Sequence, residues 1–139
     1  MDTIFLISKD PEQKKSSKIF KAFGLKFGAQ GTEERVNYHF FYSINEARVY
    51  LTERGIKIVG IEIGENARSL FSETPFEGDT CFVLGNEGDG IMEPLKAICD
   101  YFIYIPQYTN KTASLNVSIA GSIILLHFAR WAGYSQQEM

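Results

Sequence analysis

The chain has 139 residues, of which 45% are hydrophobic and 22% charged, and its formal net charge is -3. This composition excludes a disordered chain and fits one domain over residues 1–139 with a single core. The negative balance gives no overall attraction to nucleic acid, so phosphate contacts must come from local basic residues or another chain. No apolar run approaches the roughly 20 residues of a membrane span, and the start lacks a basic region typical of a signal peptide. We therefore expect a cytoplasmic protein that does not bind membranes.

The cysteines and histidines indicate no disulfide and no metal site. Cys81 and Cys99 lie in the apolar stretches CFVLG and AICDYF, which is typical of buried thiols in a reducing compartment. His39 and His127 lie far from each other and from the cysteines in sequence. A zinc site is therefore not predicted, and aromatic or helical packing accounts for both histidines.

Short elements are predicted in the first part of the chain. Residues 4–7 (IFLI) form a continuous apolar run that predicts a buried strand. Residues 14–23 predict a short helix that ends at Gly24.

A clearer helix signal follows the aromatic segment YHFFYS. Ser43 and Glu46 have the spacing of a capping box ahead of EARVYLTER, and Gly55 stands where a helix would end. The next segment, KIVGIEI (residues 57–63), is apolar and β-branched and predicts a strand.

The second half of the chain alternates predicted strands and helices. A strand TCFVL leads into a glycine turn, and Pro94 suits the first turn of a short helix. The strand YFIYI ends at Pro106, and the long pattern SLNVSIAGSIILLHFARWAG predicts a helix that ends at Gly133. This alternation predicts an α/β fold with a mostly parallel sheet and helices on both faces.

The long helix carries two kinds of signal. Its apolar positions Leu115, Ile119, Ile123 and Leu126, with the flanking Val, Phe and Trp residues, are predicted to lie in the core. Its first turn carries Ser114, Asn116 and Ser118. Capping explains one of these three residues, so their clustering favours a polar site at the start of the helix.

Two predicted strands end in unusual loops, GNEGDG and PQYTNKTASLN. In parallel sheets, ligands bind beyond the carboxyl ends of the strands. The glycines can serve a tight turn alone, or their missing side chains can let a ligand lie against the backbone. The loop matches neither a dinucleotide-binding fingerprint nor a P-loop, its carboxylates lack calcium-loop spacing, and the chain has no G-x-S-x-G elbow.

Together, FVLGNEGDGI and the later YIPQYTNKTASLNVSIAGSI resemble the second and third motifs of the SpoU (TrmH-like) RNA ribose 2'-O-methyltransferases of the SPOUT class. The resemblance extends from YHFFYS to HFARWAG and, before that, back to FGAQGT. It implies a C-terminal trefoil knot, a homodimer, and S-adenosylmethionine bound by the knot. It also implies a partner RNA, either tRNA or rRNA.

The resemblance also implies site residues. The residues implied to lie near the reacting centre, as catalytic groups, are Glu87, Ser114 and Asn116. The residues implied to bind the cofactor, largely through backbone groups, are Leu84, Gly85, Asn86, Gly88, Ile105, Pro106, Gln107, Ser114, Leu115 and Asn116. Trp131 and Tyr134 offer apolar surface for the implied dimer.

The chain departs from the family in its first motif, an Asn-x-Gly segment followed by a helix that carries an arginine. One alignment places DPEQKKSSKIFKAFG on this motif, with Lys18 near the arginine position, but leaves too few residues for the next strand. The other takes IFLIS as that next strand, so that the domain is N-terminally truncated relative to the family; we prefer it because it needs no internal deletion. Lysine lacks the planar fork of arginine. A catalytically impaired or inactive knotted module that binds cofactor or RNA, or scaffolds a complex, is therefore the alternative to an active enzyme.

Overall fold

The structure, a computed structural model, describes residues 3–7, 37–85, 89–107 and 117–134. These ranges form two compact units, which divide between Val49 and Tyr50. The strands are β1 Thr3–Ile7, β2 Asn37–Phe41, β3 Lys57–Ile61, β4 Arg68–Ser69, β5 Thr80–Leu84 and β6 Tyr101–Tyr104. The helices are α1 Ile44–Glu53, α2 Glu93–Lys96 and α3 Val117–Trp131.

In the first unit, β1 and β2 form a parallel pair. The predicted strand at residues 4–7 is confirmed as part of β1, and the aromatic segment YHFFYS supplies β2. The ring of Phe41 stacks on Phe5 at 5.8 Å and on His39 at 4.5 Å between centroids. His39 therefore takes part in aromatic packing, as its sequence context indicates. The helix predicted at residues 14–23 lies outside the described residues.

Both ends of α1 are closed as predicted. The hydroxyl of Ser43 accepts a hydrogen bond from the Glu46 amide at 3.1 Å, and the Glu46 carboxylate accepts one from the Tyr42 amide at 2.9 Å. This is a capping box whose reciprocal bond reaches one residue before the cap. Gly55 has φ +68°, and the amide after it donates to the Leu51 carbonyl at 3.0 Å, which closes a Schellman motif.

The second unit contains a four-stranded parallel sheet in the order β4-β6-β3-β5. The strands predicted at TCFVL, KIVGIEI and YFIYI all belong to it. Within β3, Ile61 pairs with Leu84 of β5 on one side and with Ile103 of β6 on the other. The carboxyl ends of these three strands therefore lie at the same edge, and the predicted parallel α/β fold is confirmed.

The core of this unit lies between the sheet and α3. Val59, Ile103 and Ile124 are fully buried, and they cluster with Leu70 and Phe76. Around them, the rings of Phe76, Phe82 and Phe128 meet edge to face, with centroids 5.2 to 5.9 Å apart. Aromatic pairs favour this geometry because the positive ring edge meets the negative face.

The core prediction for α3 is wrong at three positions. Ile119 is 53% exposed, Leu126 is 64% exposed and Trp131 is 47% exposed, whereas Ile123 and Phe128 pack against the core as predicted. Ile119 and Leu126 are seven residues apart and share one face of the helix, while Gly121 and Ile124 belong to the buried stripe. The helix is apolar on more than one face, so composition did not distinguish the buried face from the exposed one. Leu115 lies outside the described residues.

The predicted end of α3 is confirmed. Gly133 has φ +76°, and the Tyr134 amide donates to the Ala129 carbonyl at 3.0 Å. This repeats the Schellman closure of α1. The predicted short helix around Pro94 is confirmed as α2, with the proline near its start.

Both cysteines are free thiols, as predicted, and both are partly buried. Burial raises the pKa of Cys81 to about 11, with a smaller contribution from Cys99. Burial also raises the pKa of Cys99 to about 11, and the charges of Asp100 and Glu62 add to it. At neutral pH both groups are therefore protonated, which makes them poor nucleophiles.

These thiols predict a loss of stability at high pH. Because each folded pKa lies above the ordinary value of 9.0, the protonated thiols stabilise the fold below about pH 9 and that contribution is lost as pH rises through about 11. Urea unfolding between pH 8 and 11 should show a falling free energy of unfolding. The fall should be smaller in the double variant Cys81→Ala with Cys99→Ala; equal slopes in the two proteins would contradict this assignment.

Candidate functional site

The two predicted cofactor segments both lie at the carboxyl edge of the four-stranded sheet. Leu84 ends β5 and Gly85 follows it, and residues 105–107 follow β6. Because β3 lies between these two strands, the segments are separated by two strand spacings, about 10 Å. Leu84 is 43% exposed, and residues 105–107 are half-buried. The structure thus brings Leu84, Gly85, Ile105, Pro106 and Gln107 to one edge.

A close approach of the chain to itself explains the glycine at position 85. A Cβ on Gly85 would lie 2.5 Å from the carbonyl carbon of Gly90 and 2.8 Å from the amide nitrogen of Ile91. The chain leaves β5 and returns through the same point, and we call Gly85, Gly90 and Ile91 the neck of the glycine turn. The space beside Gly85 is filled by backbone, so its glycine is required whether or not a ligand binds.

The second glycine of the neck faces a carboxylate. Gly90 has φ +70°, a conformation that side chains disfavour. A Cβ there would also collide with the Oε1 atom of Glu62, the residue after β3. The positive φ favours glycine at position 90, whereas the Glu62 carboxylate ends a flexible side chain that could move aside.

Glu62 connects the neck to α2. Its Oε1 atom accepts a hydrogen bond from the Ile91 amide at 3.4 Å, and its Oε2 atom lies 3.1 Å from Nζ of Lys96. The hydrogen bond and charge of Glu62 raise the pKa of Lys96, so that this ammonium stays charged. Sequence reasoning did not single out Glu62, which the structure places beside the neck. The available signal was an acidic residue at the end of an apolar strand, beside two loops already suspected of binding.

The first half of α3 passes over the end of β5. A Cβ on Gly121 would lie 3.4 Å from Cδ1 of Leu84, which is an ordinary van der Waals distance. The first half of α3 therefore lies close to the same edge that carries the neck.

The remaining predicted site residues lie outside the described ranges, and their roles stay predictions. They are Asn86, Glu87, Gly88, Ser114, Leu115 and Asn116.

Within the described ranges, no three His, Cys, Asp or Glu side chains are grouped so as to hold a metal ion. His127 contacts the ring of Phe71 at 5.3 Å between centroids. No helix in the described part of the chain has the length and apolar character needed to cross a membrane.

Comparison with known proteins identifies one family. The profile of the SpoU rRNA Methylase family matches residues 2–126. The tRNA (guanosine(18)-2'-O)-methyltransferase of Escherichia coli K12 is 31% identical over 102 residues, which cover 73% of this chain and 44% of that protein. The chain spans less than half the length of the curated relatives that it first matches.

Solved structures agree in fold. The TrmH/SpoU tRNA modifying enzyme of A. aeolicus superimposes with a TM-score of 0.70 at 26% identity, covering 95% of this chain and 62% of that one. The SpoU methyltransferase AviRb of Streptomyces viridochromogenes, solved in complex with AdoMet, gives a TM-score of 0.65 at 19% identity, over 95% of this chain and 48% of that one. At that identity the second likeness concerns the fold alone.

The neck predicts a sharp difference between two glycines. Gly85→Ala places a methyl group against the Gly90 backbone and should lower the free energy of unfolding by about 1–3 kcal/mol. Gly64→Ala is the matched control, since nothing lies within 4 Å of its Cβ position, and it should change stability by less than about 0.5 kcal/mol. Denaturant unfolding of both variants measures this, and equal stabilities would refute the close approach.

Proposed function

Because the chain belongs to the SpoU rRNA methylase family, we propose that it is an S-adenosylmethionine-dependent RNA ribose 2'-O-methyltransferase that acts on tRNA or rRNA. The observation that carries the proposal is the family match over residues 2–126, which includes both loop segments that meet at the sheet edge. The names of the relatives support methyl transfer to RNA. The AdoMet complex of the S. viridochromogenes protein supports the choice of cofactor.

The described strand ends suit S-adenosylmethionine. Leu84 exposes 43% of its surface at the edge, which provides an apolar contact for a flat adenine ring. Residues 105–107 are half-buried and follow a strand, where backbone N–H and C=O groups are available to the polar rim of a base. In this proposal Leu84, Gly85, Ile105, Pro106 and Gln107 bind the cofactor. When bound, the cofactor supplies an electrophilic methyl group on a sulfonium.

In this proposal the chain itself positions the ribose and accepts the proton of its 2'-hydroxyl group. Attack by the 2'-hydroxyl oxygen forms an O–C bond as the C–S bond breaks, and the hydroxyl proton leaves to a base. Holding the two reactants in line supplies much of the rate. Glu87 is the proposed acceptor that orients the hydroxyl, and Ser114 and Asn116 are proposed to complete the polar wall. Cys81 and Cys99 are not candidates for a nucleophile, because their raised pKa values keep them protonated.

Two further features belong to the proposal. Residues 1–139 are treated as one SPOUT-type domain whose C-terminal part is threaded into a trefoil knot; the TM-score of 0.70 against the A. aeolicus enzyme over 95% of the chain supports this topology. The proposed compartment is the cytoplasm, which the two free thiols and the RNA substrates of the relatives favour.

A homodimer is also proposed, and α3 provides its surface. Exposed apolar side chains on or just after this helix are Ile119, Leu125, Leu126, Trp131 and Tyr134. A large exposed apolar patch is typical of an interface, and a two-fold symmetric dimer is the commonest way to cover it with a second copy.

Cofactor binding and turnover are tested separately. Titration calorimetry should show binding of S-adenosylmethionine, and labelled methyl groups should be incorporated into total tRNA or rRNA. Asn116→Ala should abolish incorporation, whereas the exposed control Asn66→Ala should leave it unchanged. Absence of heat at high micromolar cofactor would contradict the proposed pocket. Binding without incorporation would establish the alternative, an inactive cofactor-binding module.

The dimer is tested by a charge on its proposed surface. Leu126→Glu places a carboxylate at an apolar residue that is 64% exposed. The mass measured by light scattering should therefore fall from that of a dimer, twice 15.7 kDa, to that of a monomer, 15.7 kDa. Val49→Glu on α1 is the control, since Val49 is a comparably exposed apolar residue at 41%, and it should remain dimeric. A monomeric wild-type protein would contradict the proposal.

A further inference from the structure

Glu62 contacts the neck of the glycine turn through its carboxylate. The backbone amide of Glu62 donates to the Ile103 carbonyl at 3.1 Å, which fixes its main chain to β6. Its carboxylate is the atom group that meets Gly90 and accepts from the Ile91 amide. Glu62 is thus bonded to β6 through its main chain and to the neck through its carboxylate.

Ile91 is held at both its side chain and its main chain. Its side chain is 3% exposed, and its Cδ1 atom would lie 3.1 Å from a Cβ on Gly60 of β3. Its amide is the donor to Glu62. With the side chain fixed by packing, the carboxylate sets the direction of the main chain as it leaves the turn.

We infer that Glu62 is a positioning residue for the cofactor site, and that it acts by holding the neck through the Ile91 amide. The inference rests on the proposed binding of S-adenosylmethionine at this edge. The predicted cofactor residues Leu84 and Gly85 belong to or adjoin the neck, so a displaced neck displaces them. Glu62 itself lies at the carboxyl end of β3, between the two predicted cofactor segments.

The chemistry of the two partners requires a carboxylate. Ile91 N–H and the Lys96 ammonium are both donors, and each meets a different oxygen of Glu62. A glutamine at this position has one oxygen and one NH₂ group, so it can accept from one of these donors while its NH₂ faces the other. When Lys96 is replaced by an apolar residue, the glutamine side chain at position 62 can turn its oxygen toward the Ile91 N–H group.

This asymmetry predicts a rescue. Glu62→Gln should weaken cofactor binding by about three- to tenfold, the cost of one hydrogen bond at the neck. Lys96→Met alone should change the affinity by less than about twofold, since the ion pair is partly exposed. The double variant should bind within about twofold of Lys96→Met, because the amide oxygen again accepts from Ile91. Glu65→Gln, three residues away and exposed, is the matched control and should bind as wild type.

The experiment combines titration calorimetry of the full chain with hydrogen exchange of the Ile91 amide in cofactor-free protein. Exchange should be about three- to tenfold faster in Glu62→Gln and return toward wild type in the double variant, with the free energy of unfolding monitored for all proteins. Equal affinity and equal exchange in wild type and Glu62→Gln would overturn the inference alone. A wild-type chain without affinity for S-adenosylmethionine would overturn the proposed function, and this inference with it. If Glu62→Gln alone does not fold, the double variant Lys96→Met with Glu62→Gln provides the test. An Ile91 exchange rate in the double variant that stays above the wild-type rate overturns the inference. A rate equal to that of Lys96→Met supports it.

Discussion

The backbone of Gly85 lies against the backbone of Gly90 and Ile91, and the candidate site depends on this approach. A side chain at Gly85 would lie 2.5 Å from the Gly90 carbonyl carbon, and one at Gly90 would meet the Glu62 carboxylate. Two glycines and one carboxylate therefore determine where the turn leaves the sheet and where it returns. The neck is packed against Glu62 and its own backbone, so a ligand at this edge would contact a surface that is already packed.

The parallel order β6-β3-β5 gives this turn its neighbours. Because β3 lies in the middle, its following residue Glu62 stands between the ends of β5 and β6. The first half of α3 lies over the same edge, where a Cβ at position 121 would be in van der Waals contact with Leu84 at 3.4 Å. The ends of β5 and β6 and the first half of α3 thus lie at one edge of the sheet. Such an edge suits a ligand that is recognised mainly through backbone groups.

The same fold leaves α3 with more apolar surface than its own sheet can cover. The buried stripe that contains Ile124 fills the core, while Leu126 and Ile119 point elsewhere and are exposed. A helix with two apolar faces needs a second surface to cover it. The proposed dimer and the proposed cofactor site therefore use the same helix, whose first half approaches Leu84 and whose end carries Trp131.

The sequence by itself determined the features that depend on near neighbours in the chain. The capping box of Ser43 and Glu46, the stops at Gly55 and Gly133, and the parallel strands follow from local spacing and apolar runs, and the two loop motifs identified the family. The tertiary structure decided which face of α3 is buried, why position 85 must be glycine, and that the Glu62 carboxylate lies against the neck. Glu62 and Ile91 are 29 residues apart in the chain, and their contact exists because the sheet brings β3 beside the end of β5. Pattern and spacing describe one segment at a time, whereas a close approach between segments is fixed only when they pack.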